Sequence, residues 1–207
     1  MIALAAWVLT LPLRIAWQLG PRRTLMVVCL LMLGITVYGV AEDMGLLEPP
    51  AAATPARPPR PSRAAMADIP AGYLHLYYWG AARRCPGLSW SVLAAIGKLE
   101  TDHGRALLAG VRSGWNAAGA AGPMQFGIGK GRAGNAWARY GGDFDHDGHP
   151  SVYDPGDAIP AAARYLCDHG APHRLDAALH AYNHSWAYVT RVKRLARGYV
   201  AGGSERR

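Results

Sequence analysis

The stretch that most constrains this chain is Ser89-Trp90-Ser91-Val92-Leu93-Ala94-Ala95-Ile96-Gly97-Lys98-Leu99-Glu100-Thr101-Asp102-His103-Gly104. Pro86 and Gly87 break the chain before it, and Ser89 is placed to cap its first turn. Gly104 is placed to end it in a left-handed conformation. Trp90, Leu93, Ala94 and Gly97 share one face, and Val92, Ile96 and Leu99 another. A helix apolar on all sides lies in the middle of a domain. The spacing Leu93, Gly97, Glu100 carries that burial to a carboxylate at the helix end. Desolvation and the negative end of the helix dipole both favour its acid form. A proton retained near neutral pH suits a general acid, the alternative being an acidic residue frayed into solvent.

The other apolar run has a different meaning. Thr24 to Ala41 is 18 residues without a charge, preceded by Arg14, Arg22 and Arg23 and followed by Glu42 and Asp43. That length is near the lower limit for crossing a bilayer, and the charge asymmetry leaves the N-terminus inside. Residues 1–43 therefore read as a membrane anchor or, given Gly39-Val40-Ala41, as a cleaved signal segment. Either one exports the rest of the chain, to a membrane-anchored or a secreted state. Residues 44–68, rich in Pro and Ala, read as an extended spacer that cannot pack a core. Residues 69–200 read as the folded domain and 201–207 as a flexible tail.

Within that domain the helical period dominates and strand-like alternation is almost absent, so the fold class is mainly α. Helices are expected at Tyr73 to Ala82, from Asp154-Pro155-Gly156-Asp157 to Gly170, around Leu175 to Tyr182, and over Trp186 to Tyr199. Residues 104–153 form a long glycine-rich connection, of the kind that carries function. Cys85 and Cys167 fall in the exported part, where an oxidising compartment favours one disulfide over two buried thiols. The net charge of +8 comes in part from arginines beside the apolar run and in the tail; it favours anionic polymers or lipid head groups, while the scattered basic residues carry no nucleic-acid recognition motif. The oligomeric state is not encoded in any pattern.

Three groups of residues carry chemistry. Gly119-Ala-Ala-Gly122-Pro123-Met124-Gln125 offers close backbone approach, an apolar contact at Met124 and a two-way amide at Gln125. Ala181-Tyr182-Asn183 sits at a helix end, where a tyrosine and an amide can clamp a sugar or merely close a helix. The third is Asp143-Phe-Asp145-His-Asp147-Gly148-His149-Pro-Ser151-Val-Tyr-Asp154, with the spacing of an EF-hand loop. Asp143, Asp145 and Asp147 stand at positions 1, 3 and 5, the His149 carbonyl at 7, Ser151 at 9 and Asp154 at 12. Calcium with a structural role is expected there, at modest affinity because Asp replaces the longer Glu at position 12; the alternative is an acidic surface loop.

Together, Glu100-Thr101, Gly119 to Gln125 and Ala181 to Asn183, in that order, resemble the lytic transglycosylases of the soluble type, relatives of goose-type lysozyme. The acidic loop followed by Asp154-Pro155-Gly156-Asp157-Ala158-Ile159 is similar to the membrane-bound B type, here in an exported form of the actinobacterial kind. The resemblance covers about residues 73–199 and implies a lysozyme-like domain. It implies peptidoglycan glycan strands as substrate, cleaved between N-acetylmuramic acid and N-acetylglucosamine. Glu100 would protonate the leaving oxygen and then, as base, draw the proton from the sugar's 6-hydroxyl to give a 1,6-anhydro end. Asn116, Met124, Gln125, Tyr182 and Asn183 would contact substrate; Asn116 stands where relatives carry Ser. A second carboxylate is wanting, since Asp102 is two residues from Glu100 and falls on roughly the opposite face. Residues 127–135 depart from the family pattern, leaving the cleft rim undefined. The rival readings are a goose-type hydrolase and a noncatalytic wall-binding module.

Overall fold

A computed structural model describes residues 58–201. The expected anchor or signal segment, most of the spacer and the tail after Ala201 lie outside the described residues. Among those described, no helix is long and apolar enough to cross a membrane. The fold is mainly helical, with seven helices and one short hairpin among the described residues. They are α1 (Arg63–Asp68), α2 (Ala71–Arg84), α3 (Trp90–Thr101), β1 (Ala120–Ala121), β2 (Phe126–Gly127), α4 (Ala136–Tyr140), α5 (Pro155–Asp168), α6 (Leu175–Asn183) and α7 (Trp186–Tyr199).

The central helix behaves as its composition requires. Every residue of α3 from Trp90 to Gly97 is buried, with Leu93, Ala94, Ala95 and Ile96 at 0% exposure. It packs on α2 and α7, while α2 also lies along α5. A helix enclosed on several sides loses any polar face, which is why its apolar pattern has no stripe. Its ends differ from the sequence expectation. The Ser89 hydroxyl caps nothing and pairs with the Ser91 hydroxyl at 2.9 Å. The helix stops at Thr101, before the left-handed turn expected at Gly104, because Asp102 and His103 already have φ of 51° and 56°. Their N–H groups close the last turn, Asp102 to the Lys98 carbonyl at 3.0 Å and His103 to the Gly97 carbonyl at 2.9 Å. Aspartate tolerates this conformation, and its carboxylate is anchored by Lys98 at 2.7 Å and Arg105 at 2.8 Å.

The folded unit begins earlier than the boundary expected at residue 69. Ser62 accepts a hydrogen bond from the Ala65 N–H at 3.1 Å and so caps α1. Proline lacks an N–H but keeps its carbonyl, and the Pro59 carbonyl accepts from Trp90 Nε1 at 2.8 Å and from the Tyr78 hydroxyl at 2.7 Å. The Ser62 N–H donates to the Tyr199 carbonyl at 2.8 Å, and the Ala201 N–H to the Arg60 carbonyl at 2.9 Å. The end of the proline-rich stretch is thus fastened to the end of α7. Composition reports the missing donors of such a stretch and is silent about its acceptors.

Asp68, at the end of α1, joins the turn after α3. Lys98 and Arg105 both reach it, and the Tyr199 hydroxyl donates to it. Although burial acts to raise it, Lys98, Tyr199 and Arg105 hold the Asp68 carboxyl down to about 2. Beside it His103 is fully enclosed, with Nδ1 at 2.9 Å from the Tyr77 hydroxyl. Burial pushes its imidazole down to about 4 and outweighs the attraction of Asp68.

Cys85 and Cys167 form the expected disulfide, with their Cα atoms 5.3 Å apart. It ties the residue after α2 to the last turn of α5.

Candidate active site

Glu100 occupies the last turn of α3, half-buried, with Thr101 beside it facing the interior. The Thr101 hydroxyl donates to the Pro123 carbonyl at 2.7 Å and accepts from the Gly104 N–H at 2.9 Å. Adjacent positions 100° apart on the helix thereby separate two tasks. Glutamate faces the cleft, and threonine fixes the helix end to the turn that forms the cleft floor. Burial pushes the Glu100 carboxyl up from its ordinary range. A hydrogen bond donated by the Tyr188 hydroxyl to Oε1, at 2.7 Å, offsets part of this. Burial and the nearby Glu100 charge in turn keep the Tyr182 and Tyr188 phenols protonated.

Sequence reasoning missed Tyr188. Its period is legible, since Tyr188 precedes Val192 by four, on the same inward stripe as Ala196 and Tyr199. Replacing it with Phe removes a bond that favours the carboxylate form. The alkaline limb of the pH–activity profile should therefore move to higher pH in Tyr188→Phe, and activity should fall roughly 10-fold, within the range for a hydrogen bond to a charged group. An unshifted profile would remove Tyr188 from any part in setting the acid.

The Gly122–Gln125 segment is a tight turn joining β1 to β2, paired Ala120 to Gly127 and Ala121 to Phe126. Gly122 has φ of +77°, and its Cα lies so close to the Val152 carbonyl that a Cβ could not be accommodated. The turn is thereby set against the end of the acidic loop. Gln125 donates through Nε2 to the Gly122 carbonyl at 2.9 Å and accepts through Oε1 from Asn116 Nδ2 at 2.8 Å. The Asn116 side-chain oxygen accepts from the N–H groups of Ala118 and Ala120 at 2.8 and 3.1 Å. Met124 differs from its expected place. It is completely buried, so its side chain is core, and its contribution here is a carbonyl that accepts from the Tyr182 hydroxyl at 2.7 Å. A thioether with an apolar neighbourhood available packs into it. Tyr182 thus spends its hydroxyl within the protein.

Glu100, Asn116, Gln125, Tyr182 and Asn183 line one cleft of about 550 Å³. The structure also places Tyr165, Arg132 and His184 along it, none of which the sequence reading singles out. Among the lining residues Glu100 is the one carboxylate. Asp102 faces away, bound to Lys98 and Arg105.

The acidic loop is folded around its own carboxylates. Asp143 Oδ2 accepts from the Gly148 N–H at 3.0 Å, and Asp147 Oδ1 from the His149 N–H at 2.7 Å. Ser151 accepts from the Tyr153 N–H at 3.2 Å. Asp145, Asp147 and Asp154 bring oxygens within 4.8 Å of one another, as do Asp143, Asp145 and Asp157. Asp143 Oδ1 is buried without a hydrogen-bond partner, and a hard cation would satisfy it. Asp154 caps α5, its Oδ1 accepting from the Gly156 N–H at 2.6 Å. The sequence marks Asp157 only as an acid in the first helical turn. It is fully buried and accepts from the Phe144 N–H at 2.7 Å and the Ser151 N–H at 2.8 Å. Both its oxygens hold the loop's backbone instead of reaching back to the cap.

No family model matches the sequence, and no curated protein matches it. Among solved structures, Escherichia coli lytic transglycosylase Slt35 in complex with calcium aligns with a TM-score of 0.47 at 15% identity, covering 66% of this chain and 77% of that one. Slt35 in complex with bulgecin A aligns with a TM-score of 0.47 at 15% identity over 79% of this chain and 82% of the other. A 36 kDa muramidase/transglycosylase aligns with a TM-score of 0.47 at 15% identity over 66% and 77% of the two chains.

Proposed function

We propose that this protein is a peptidoglycan lytic transglycosylase in which Glu100 is the single acid and base. The observation that carries this reading is a lone, desolvated glutamate in a cleft with no second carboxylate among its lining residues. Glycosidases that use two carboxylates set them across the bond. With one, the substrate must supply the second group. The acetamido oxygen of the N-acetylmuramyl residue stabilises the positive centre as Glu100 gives its proton to the leaving oxygen. Glu100, now a carboxylate, takes the proton of the 6-hydroxyl, whose oxygen closes on C1. The raised carboxyl suits both halves, since one group must be acid and then base at the same pH. Gln125 and Asn116, already bonded to each other, and Asn183 at the rim offer amide contacts to the glycan.

The test is a digest of purified peptidoglycan by the full chain, read by mass. Products lighter by one water than reducing-end fragments support the reading. Reducing ends show a hydrolase, and binding without products shows a noncatalytic wall-binding module. The same reading puts the domain outside the cytoplasmic membrane, held there or released according to the fate of residues 1–43, in a compartment where the Cys85–Cys167 disulfide persists.

Calcium fits the acidic loop. Asp143, Asp145, Asp147 and Asp154 would hold it, with the His149 carbonyl, and when bound it would supply charge neutralisation to the loop entering α5. Removing it with a chelator should lower the melting temperature, and calcium should restore it. Activity should fall only as the domain unfolds, because the loop's carboxylates are not in the cleft lining. Immediate loss of activity from a still-folded protein would contradict a structural role.

A further inference from the structure

The 127–135 segment, the glycine-rich stretch left undefined by the resemblance, has a definite shape in the structure. The Ile128 N–H donates to the Gly119 carbonyl at 3.1 Å, the Ala133 N–H to the Ala118 carbonyl at 2.8 Å, and the Gly129 N–H to the Gly134 carbonyl at 2.7 Å. Backbone meets backbone so closely that a Cβ on Gly119 would lie 2.5 Å from the Gly131 nitrogen. The segment is therefore clamped against the turn that begins at Asn116. From this clamped backbone Arg132 enters the lining of the Glu100 cleft. Among the described residues it has neither an ion-pair nor a hydrogen-bond partner. Two positions earlier, the Lys130 ammonium lies 5.4 Å from the ring centroid of Trp115, which is half exposed and adjoins Asn116 in the chain. An exposed, unpaired arginine on a clamped backbone, lining a cleft whose one carboxylate is held toward its acid form, is free to receive an anion. The planar fork of arginine matches a carboxylate.

We infer that Arg132, assisted by Lys130 two positions before it and by Trp115 next to Asn116, selects a saccharide that carries a carboxylate. This deepens, and rests on, the reading of the cleft as a glycan site. The carboxylate has two possible sources in a cell-wall strand. One is the lactyl group of the muramyl sugar on strands without peptides; the other is the carboxylates of the stem peptides. The indole offers an apolar face to a neighbouring sugar ring, and Lys130 adds charge beside it.

Three soluble saccharides separate the alternatives: peptide-bearing glycan, amidase-stripped glycan with free lactyl groups, and a neutral β-1,4-linked N-acetylglucosamine oligomer. Binding by calorimetry and, where cleavage occurs, KM and kcat are measured for the wild type, Arg132→Gln and Arg132→Lys. Arg132→Gln should weaken binding of a carboxylate-bearing strand at least tenfold, chiefly in KM. It should leave the neutral oligomer unchanged, and Arg132→Lys should recover part of the loss. The difference should shrink as salt rises. Whichever anionic strand suffers the loss identifies the source of the carboxylate. Equal affinities of Arg132→Gln and wild type for all three, or an equal loss on all three, would overturn the inference. A wild type that discriminates by charge but releases no product would sink the enzymatic reading and leave Arg132 in its role. Cleavage with KM indifferent to Arg132→Gln would do the reverse, and failure of the wild type to bind any of the three overturns both.

Discussion

Glu100→Gln should reduce release of glycan fragments by roughly 10²–10⁴-fold, the usual worth of a positioned acid and base, while the domain stays folded. Glutamine keeps the shape of the side chain and an oxygen for the Tyr188 hydroxyl, which now stands 2.7 Å from Oε1. It cannot donate or accept the proton. The same variant carries a signed stability effect. The folded-state carboxyl of Glu100 is raised above its unfolded value, with burial as the main cause. Its favourable contribution is therefore complete below the unfolded value and is lost as pH rises through the folded one. Glutamine has no such loss. The variant should melt at or above the wild-type temperature at neutral pH, and that advantage should vanish on acidification below the ordinary carboxyl range. Lost activity accompanied by a large fall in melting temperature would assign the effect to the fold and not to proton transfer.

Replacing both Cys85 and Cys167 with Ser should cost about 4 kcal/mol, from the conformational freedom returned to the unfolded chain. The bridge spans 82 positions. For a domain of this size such a loss corresponds to a fall of roughly 10–15 °C in melting temperature. The closed loop contains α3 with Glu100, the Met–Gln turn and the acidic loop, whereas Tyr182 and Tyr188 lie beyond it. The disulfide thus secures one wall of the cleft, and α6 and α7 must dock onto it from outside. Cleavage should persist at low temperature in the double variant and fail earlier on warming. Equal melting temperatures, with and without the cysteines, would show that the bridge adds nothing to the stability of this fold.

The helices were legible because their signals are local. Asp154 followed by Pro155 marked the start of α5, the helical period over Trp186 to Tyr199 marked α7, and the structure has both. The buried character of α3 was equally readable, because a helix apolar on every side has no other place. The hairpin was not readable. Two residues per strand are too few for an alternating pattern, and its shape depends on Gly122 meeting Val152, thirty positions away. The attachment of Pro59 to Trp90 and Tyr78 was hidden for the same reason, and so the spacer ran too far into the domain.

The amino-acid order by itself determined where the candidate acid stands, which turn and which Tyr–Asn pair accompany it, and where an acidic loop enters a helix. Each is a matter of spacing along one element. Only the tertiary structure decided what surrounds them: Tyr188 reaching Glu100 across 88 positions, Met124 turned into the core, Asp157 spent on the loop, and Arg132 delivered to the cleft. A carboxyl's proton affinity depends on which groups exclude water from it, and those groups come from distant parts of the chain.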